Sequence, residues 1–157
     1  MSTVLSNVSM DTLGSIFTQA LIEVISKISG FSLEVSSAEQ DPHFDEIVAF
    51  MSLCGPKGGM VFISSAQAGM RTLCSYMEGV PESEVTEDDV EDVLCELVNM
   101  TAGNAKMQLN GTEYMYTLSS PLIMTGKDLS IYAKKRINIV SRTVGNGDIS
   151  VKLKIVF

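Results

Sequence analysis

Residues that commonly serve as nucleophiles or metal ligands are scarce in this sequence. Its 157 residues include three cysteines, no tryptophan and a single histidine, His43. Cys54, Cys74 and Cys95 have no CxxC spacing, and one imidazole does not complete a zinc site with them at any recognised spacing. We therefore predict free thiols in a reducing compartment, no metal or cofactor bound by this chain, and an exposed loop position for His43.

Positive charge and long apolar runs are also scarce. The chain has 11 Lys and Arg residues against 19 Asp and Glu residues, a formal net charge of −8, which argues against nucleic acid or an anionic membrane as a partner. No run of about 18 apolar residues is present to cross a membrane, and the first residues lack the basic segment of a secretory signal. We expect a cytoplasmic protein, with one domain over residues 1–157.

The order of helix and strand patterns predicts an α+β fold. Three segments carry apolar residues at helical spacing: 10–29, 65–77 and 87–109. Six segments have strand-like patterns: 31–35, 46–53, 59–64, 114–123, 130–142 and 148–157. Residues 114–123 are either a strand pair or one bent strand, with Pro121 at its edge or bend. We expect the order α-β-β-β-α-α-β-β-β, with about six strands in a largely antiparallel sheet, helices packed against it, and no internal repeat strong enough to split the chain.

The longest helical pattern carries a polar pair on one side. Thr86 and the acidic residues after it signal a helix start, and Asn110 with Gly111 signals a stop, so we expect a helix over 87–109. Because an α-helix turns about 100° per residue, Glu96 and Asn99 lie side by side. Near them lie Asp92, Gly103 and Met107. The opposite stripe is largely apolar: Val90, Leu94, Leu97, Val98, Thr101, Ala105 and Leu109.

Spacing alone leaves two interpretations of this face open. A Glu and an Asn on a wet helix face are usually only solvated, and Met100 and Met107 beside them could be partly covered side chains. On the other hand, Asn99 is a mediocre helix former, and Gly103 costs about 1 kcal/mol relative to Ala. Gly103 would also let another molecule approach the backbone closely, and flexible Met side chains suit an adaptable contact surface.

The wider pattern resembles a known family. Asp92-x3-Glu96-x2-Asn99, followed by Gly103-Asn104 and later by Pro121, resembles the signature of the CheC/CheX/FliY chemotaxis phosphatases. The single motif copy, the length and the Asn-Met-x-x-Gly-Asn continuation are most similar to CheX, and the resemblance extends from the first helix to the last strand. CheC-type members carry two related motif helices. In this sequence the first helix has Glu23, but Ser26 stands where the Asn would be.

The resemblance implies a phosphatase that hydrolyses the phospho-aspartate of a CheY-like response regulator. It implies that Glu96 docks on the regulator's active-site Lys and that Asn99 positions the attacking water. An amide both donates to and accepts from water, and phosphoryl transfer requires mainly positioning and charge neutralisation. Mg²⁺ is expected to come with the regulator. Partner contacts are expected at Asp92, Met100, Gly103 and Met107.

Two further expectations accompany the resemblance. The family tends to dimerise edge to edge, and the apolar C-terminal strand is compatible with an uncovered edge that forms a homodimer. In that strand Val151, Leu153 and Ile155 alternate with Lys152 and Lys154, which predicts one buried face.

The alternative function is a non-catalytic module that binds a receiver or a flagellar or chemotaxis component through the same helix face. A small-molecule enzyme is the weakest interpretation, because the sequence shows no nucleotide loop and no nucleophile with its base.

Overall fold

The computed structural model describes residues 8–157, and within them the predicted α+β architecture is confirmed. The helices are α1 (Met10–Ser29), α2 (Gln67–Glu78) and α3 (Glu87–Leu109). The strands are β1 (Glu34–Ser37), β2 (Ile47–Cys54), β3 (Gly59–Ser65), β4 (Thr117–Leu118), β5 (Leu122–Thr125), β6 (Ile139–Gly145) and β7 (Ser150–Val156). These form one antiparallel sheet of seven strands rather than six, because residues 114–123 contribute to two strands that both pair with β2.

Local capping signals explain where the helices begin and end. The Ser9 hydroxyl accepts a hydrogen bond from the backbone N–H of Thr12 at 3.1 Å at the start of α1, and Gly30 ends that helix with a left-handed φ of 77°. Helix α3 begins with a capping box, in which Thr86 and Asp89 each accept from the other's backbone N–H. The predicted bounds of α3 are therefore confirmed.

The strand predicted over 130–142 is wrong at both ends. Of its first part only Ser130 pairs, in an isolated bridge with His43, whereas β6 begins at Ile139 and runs on to Gly145. Lys135 and Arg136 have φ values of 36° and 62°, in the left-handed region that a strand does not use. The first strand is also displaced, from the predicted 31–35 to Glu34–Ser37.

Helices α1 and α3 pack against each other and together cover one face of the sheet. The inward residues of β2 alternate along the strand and belong to the same buried cluster as both helices: Ile47, Ala49, Met51 and Leu53. At Gly14 the backbone of α1 approaches β6 so closely that a Cβ there would lie 2.8 Å from the Val140 side chain. The buried stripe of α3 belongs to the same cluster as the inward residues of β2, and this packing fixes the position of α3 over the sheet.

The strand order contains a repeat of topology that the sequence patterns did not predict. The order across the sheet is β1-β6-β7-β3-β2-β4, with β5 also on β2. Helix α1 is followed by β1 and the hairpin β2–β3, and α3 is followed by β4, β5 and the hairpin β6–β7. The first strands are exchanged, since β1 pairs with β6 whereas β4 and β5 pair with β2. The two halves meet where β3 pairs with β7.

The C-terminal strand is not an edge, contrary to the expectation above. β7 lies between β6 and β3, and the outer strands are β1 on one side and β4 with β5 on the other. The expectation that β7 has one buried face is also wrong at Lys154, of which only 1% is exposed. Its ammonium donates to the carbonyl of Asp41 and to the Ser141 hydroxyl, and burial lowers its pKa.

A connecting segment packs on the face of the sheet away from the helices, beside the Phe44 ring that Lys154 contacts. We call residues 126–138, which link β5 to β6, the strap. Leu129 and Ile131 of the strap pack against a second buried cluster: Phe44, Val48 and Phe62. The strap is held by backbone hydrogen bonds of 2.9 Å, from Phe44 N to Leu129 O and from Ile131 N to Pro42 O.

Candidate functional site

The outer face of α3 carries all of the site residues that the sequence predicts. Glu96 and Asn99 are exposed, one helical turn apart, and Asp92 is exposed one turn before Glu96. Met107 is 74% exposed, whereas Met100 and Gly103 are partly covered. The stripe expected to face inward is fully buried: Val90, Leu94, Leu97, Val98, Thr101, Ala105 and Leu109. The amphipathic division of the helix is therefore confirmed, while the roles of the outer residues stay predictions.

The two central side chains are free for an incoming partner. Among residues 8–157, neither the Glu96 carboxylate nor the Asn99 amide makes a hydrogen bond or an ion pair with another side chain. An unpaired carboxylate and an unpaired amide on one rigid helix form an arrangement that can bind a cation and orient a water molecule. Neither action requires a perturbed ionisation equilibrium.

The neighbouring thiol does not offer a nucleophile. Cys95 precedes Glu96 and is partly buried. Burial raises its pKa above the ordinary value, and the carboxylates of Asp92 and Glu91 raise it further. The thiol is therefore held in its protonated form at neutral pH, which leaves the carboxylate and the amide as the polar chemistry of this face.

Packing within the chain does not explain why position 103 is a glycine. A Cβ built on Gly103 would meet no heavy atom within 4 Å, so packing inside the chain does not require a glycine there. On the opposite side of α3, the neighbouring residue Ala102 is held by a contact with the core. The Tyr116 hydroxyl donates to the carbonyl of Ala102 at 2.7 Å, and its ring stacks on Phe17 with centroids 6.2 Å apart. A side chain would therefore fit at position 103 within this chain.

Pro121 lies at the sheet edge, as expected, in the gap between β4 and β5. Ser119 continues the pairing beside this gap, because its hydroxyl accepts from the backbone N–H of Ser52 at 2.9 Å. A residue without an N–H fits where the edge pairing is interrupted. This position supports a structural role for Pro121.

One polar pair on the other face of the sheet was not predicted. His43 is exposed, as expected, but its Nδ1 lies 3.0 Å from the Ser130 hydroxyl, a contact between segments far apart in sequence. No carboxylate contacts His43 Nε2 within the described part of the chain, so a hydrolase triad is not formed. Within the same residues, no group of three His, Cys, Asp or Glu side chains is placed to hold a metal ion. None of the described helices is long and apolar enough to span a membrane.

The fold, with α3 packed over its sheet, matches the fold of CheC-like proteins. A CheC-like superfamily protein from Shewanella sp. PV-4 is similar in structure, with a TM-score of 0.80 at 19% identity over 94% of this chain and 97% of that one. CheX from Vibrio vulnificus gives 0.78 at 18% identity, over 91% and 97%. A CheX–CheY–BeF3–Mg²⁺ complex from Borrelia burgdorferi gives 0.76 at 13% identity, over 96% and 99%.

The sequence itself identifies the family. The family model described as chemotaxis phosphatase CheX matches residues 47–144, a span that contains the whole of α3. No curated protein sequence matches the chain. The chain belongs to the CheX family of chemotaxis phosphatases.

Proposed function

We propose that this chain is a phosphatase that removes the phosphoryl group from the phospho-aspartate of a CheY-like response regulator. The observation that carries the proposal is that Glu96 and Asn99 lie exposed on one face of α3 without a partner among the described residues, in a chain of the CheX family. Because the proposed substrate is an intracellular signalling protein, the proposal also places the chain in the cytoplasm.

Glu96 is the proposed docking residue. Its carboxylate has no partner within the described residues and is exposed, so no internal contact must break before it meets the active-site Lys of a regulator. An exposed ion pair contributes only about 0–1 kcal/mol, but a charge-assisted hydrogen bond in a closed interface is about twice as strong as a neutral one. Glu96 thus contributes most once the interface excludes water.

Asn99 is the proposed water-positioning residue. It lies three residues after Glu96, about 4.5 Å further along the helix axis at 1.5 Å per residue. Docking through Glu96 therefore sets where the Asn99 amide lies. The amide oxygen accepts from the attacking water, and the amide N–H₂ donates to an oxygen beside it. Both groups stand on one capped helix, so the geometry is held before the partner arrives.

The proposed reaction needs no nucleophile from this chain. A water oxygen attacks phosphorus in line with the bond to the regulator's aspartate, and that P–O bond breaks. The aspartate leaves as a carboxylate, and both water protons remain on inorganic phosphate. Charge on the transferring group is neutralised by Mg²⁺, which would come with the regulator. The Borrelia complex supports this source, since its CheX is in complex with CheY, Mg²⁺ and BeF3, and BeF3 is a chemical analogue of a phosphoryl group.

Four further residues of the face are proposed partner contacts. Asp92 extends the acidic side, and Met100 and Met107 provide adaptable apolar area. Met107, at 74% exposure, is an unusually exposed large apolar side chain whose burial on docking would be favourable. Gly103 provides a position where an added Cβ would meet no heavy atom within 4 Å, so a partner has room to approach the backbone. Together these surround the pair on the face that a regulator would cover.

The direct test is loss of phosphate from purified phosphorylated receivers of the source organism. The wild-type chain should accelerate loss from at least one receiver, and Asn99→Ala should abolish the acceleration while still binding a BeF3-activated receiver. Gln108→Ala is a matched control, since it removes an exposed amide from the same helix outside the signature. Wild-type binding without any acceleration would reject the phosphatase and favour a non-catalytic receiver-binding module.

We also propose a homodimer, through an edge of the sheet other than β7. The available edges are β1 and the β4–β5 side, where Val35 and Leu122 are 48% and 59% exposed. Unpaired backbone groups on such edges pair readily with another chain. Light scattering should give a dimer, and Leu122→Lys or Val35→Lys should dissociate it, depending on which edge is used. A monomer at all concentrations would reject the dimer without affecting the proposed reaction.

A further inference from the structure

The strap carries an unusual concentration of positive charge. Lys127, Lys134, Lys135 and Arg136 are four of the 11 cationic residues in a chain of net charge −8. All four are exposed, and none takes part in an ion pair among residues 8–157. We call Lys134, Lys135 and Arg136 the strap tip. Within the described part of the chain, no carboxylate lies at ion-pair distance from the cations of the strap tip.

The backbone of the strap presents this tip outward. Lys135 and Arg136 adopt consecutive left-handed conformations, with φ values of 36° and 62°, which are unfavourable for residues with a side chain. On either side of the tip, Tyr132 is 69% exposed and Ile137 is 49% exposed. Tyr and Arg are enriched at protein interfaces, and Tyr132 and Arg136 lie exposed within five residues of each other here.

An apolar cavity adjoins the tip. It has a volume of about 370 Å³ and lies between the strap and the start of β6. Its apolar lining residues are Pro42, Ile131, Tyr132, Ala133 and Ile139. This volume lies at the lower end of the range of about 300–1,000 Å³ for ligand pockets, and suits one or two apolar side chains better than a whole small molecule.

The polar groups of the cavity wall are already satisfied, so they do not call for a ligand of their own. The Asp41 carboxylate pairs with the Lys152 ammonium at 3.1 Å, and the Asp41 carbonyl accepts from Lys154. Gln40 donates to the carbonyl of Ile139 at 2.8 Å. These contacts fix the floor of the cavity and leave the strap tip as its source of net charge.

We propose that the strap tip and the adjoining cavity form a docking site for an acidic protein segment that inserts an apolar side chain. Charge complementarity selects the acidic segment, because the unpaired cations attract carboxylates. The concave apolar wall selects a side chain over a flat anionic membrane surface. The site lies on the face of the sheet opposite the helices, so an occupant would leave the α3 face open, and the chain could be tethered while a regulator docks.

The test selects peptides from a random display library on the wild-type chain and measures the binding of labelled representatives. The enriched peptides should combine an apolar residue with flanking Asp and Glu. Lys134→Glu/Lys135→Glu should weaken their binding about tenfold or more, as should high salt. The matched control is Lys27→Glu/Lys106→Glu, which changes the net charge equally at exposed positions that take part in none of the ion pairs among residues 8–157, and should leave binding unchanged.

A second pair of variants tests the cavity separately from the charge. Ala133→Trp fills the cavity without altering the tip, and should weaken binding about tenfold; Ala68→Trp, at an exposed alanine of α2, should not. Thermal unfolding of each variant verifies that it is folded. Enrichment of neutral or basic peptides, equal loss in the control variants, or binding to anionic vesicles in place of peptides would overturn the proposal.

Discussion

Helices α1 and α3 occupy equivalent places in the two halves of the sheet, and their inner faces follow one pattern. Each precedes its own set of strands, and they pack against each other over the shared core. A constant offset in sequence aligns the buried residues of one with those of the other: Phe17, Leu21, Val24 and Ile25 on α1, and Val90, Leu94, Leu97 and Val98 on α3. The core therefore requires buried apolar side chains at equivalent positions of both helices.

The outer faces share a spacing and differ in chemistry. Gln19, Glu23, Ser26 and Gly30 on α1 are spaced as Asp92, Glu96, Asn99 and Gly103 are on α3. On α1, however, the Glu23 carboxylate accepts from the Gln19 amide at 3.2 Å, and the helix stops at its glycine. On α3 the Glu96 carboxylate has no ion-pair partner among residues 8–157, and the helix runs on past Gly103. Burial therefore determines the inner stripe of both helices, whereas a few outer residues distinguish them.

The largest expected effect falls on the shared part of the two helices. Leu94→Ala and Leu21→Ala each remove a fully buried side chain, and each should destabilise the fold by about 2–5 kcal/mol because a cavity remains. Urea unfolding followed by circular dichroism measures both. If one substitution lowered the free energy of unfolding by less than about 1 kcal/mol while the other lowered it by about 2–5 kcal/mol, the two inner faces would not be equivalent.

The second-largest effect is expected on the rate of phosphatase turnover. Asn99→Ser gives α3 the residue that α1 carries and should lower phosphatase activity about 100-fold or more, the cost typical of removing one positioned hydrogen-bonding group. A hydroxyl is shorter than the amide and has one donor instead of two. Single-turnover phosphate release measures the rate, and Ser26→Ala serves as the control. An unchanged rate in Asn99→Ser would remove Asn99 from the mechanism.

A smaller effect is expected on docking. Glu96→Gln should weaken binding to a BeF3-activated regulator about tenfold, because it replaces a charge-assisted contact with a neutral one. Glu23→Gln makes the same change on α1 and should leave affinity unaltered. Calorimetric titration compares the two variants, and an equal loss in both would mean that the overall acidity of the chain, rather than Glu96, guides docking.

The smallest effect compares the two glycines. Gly103→Ala should stabilise the isolated chain by about 1 kcal/mol, since the position is mid-helix with no neighbour within 4 Å. Gly30→Ala should destabilise it by about 1–2 kcal/mol, because Gly30 ends α1 with a φ of 77°. Thermal unfolding gives both signs. If Gly103→Ala also weakens regulator binding, the added methyl group obstructs the proposed interface.

Features that depend on neighbours in sequence were predictable. The bounds of α3 follow from Thr86, Asp89 and the apolar period, and the exposure of Glu96 and Asn99 follows from the same period. The spacing shared with α1 was also present in the sequence, but without the strand order it had no meaning as a repeat. The catalytic roles stay predictions, because no geometric feature distinguishes a solvated pair from one that awaits a partner.

Features that depend on distant pairing were not predictable. Lys154 alternates with apolar residues as a solvent-facing lysine would, yet it is buried because the strap and the segment around Phe44 cover that face of the sheet. The interior position of β7 depends on its pairing with β3, which is far away in sequence. A period of two identifies a strand and its faces but not its neighbours.

The exchange of first strands between the two halves has a consequence for how the chain is made. β1 is synthesised early but pairs only with β6, and β3 completes its pairing only when β7 follows. During translation the N-terminal half therefore exposes unpaired edges until the last strand leaves the ribosome. Folding therefore requires contacts between segments far apart in sequence, which slows it, and strand edges that stay unpaired in the meantime favour aggregation.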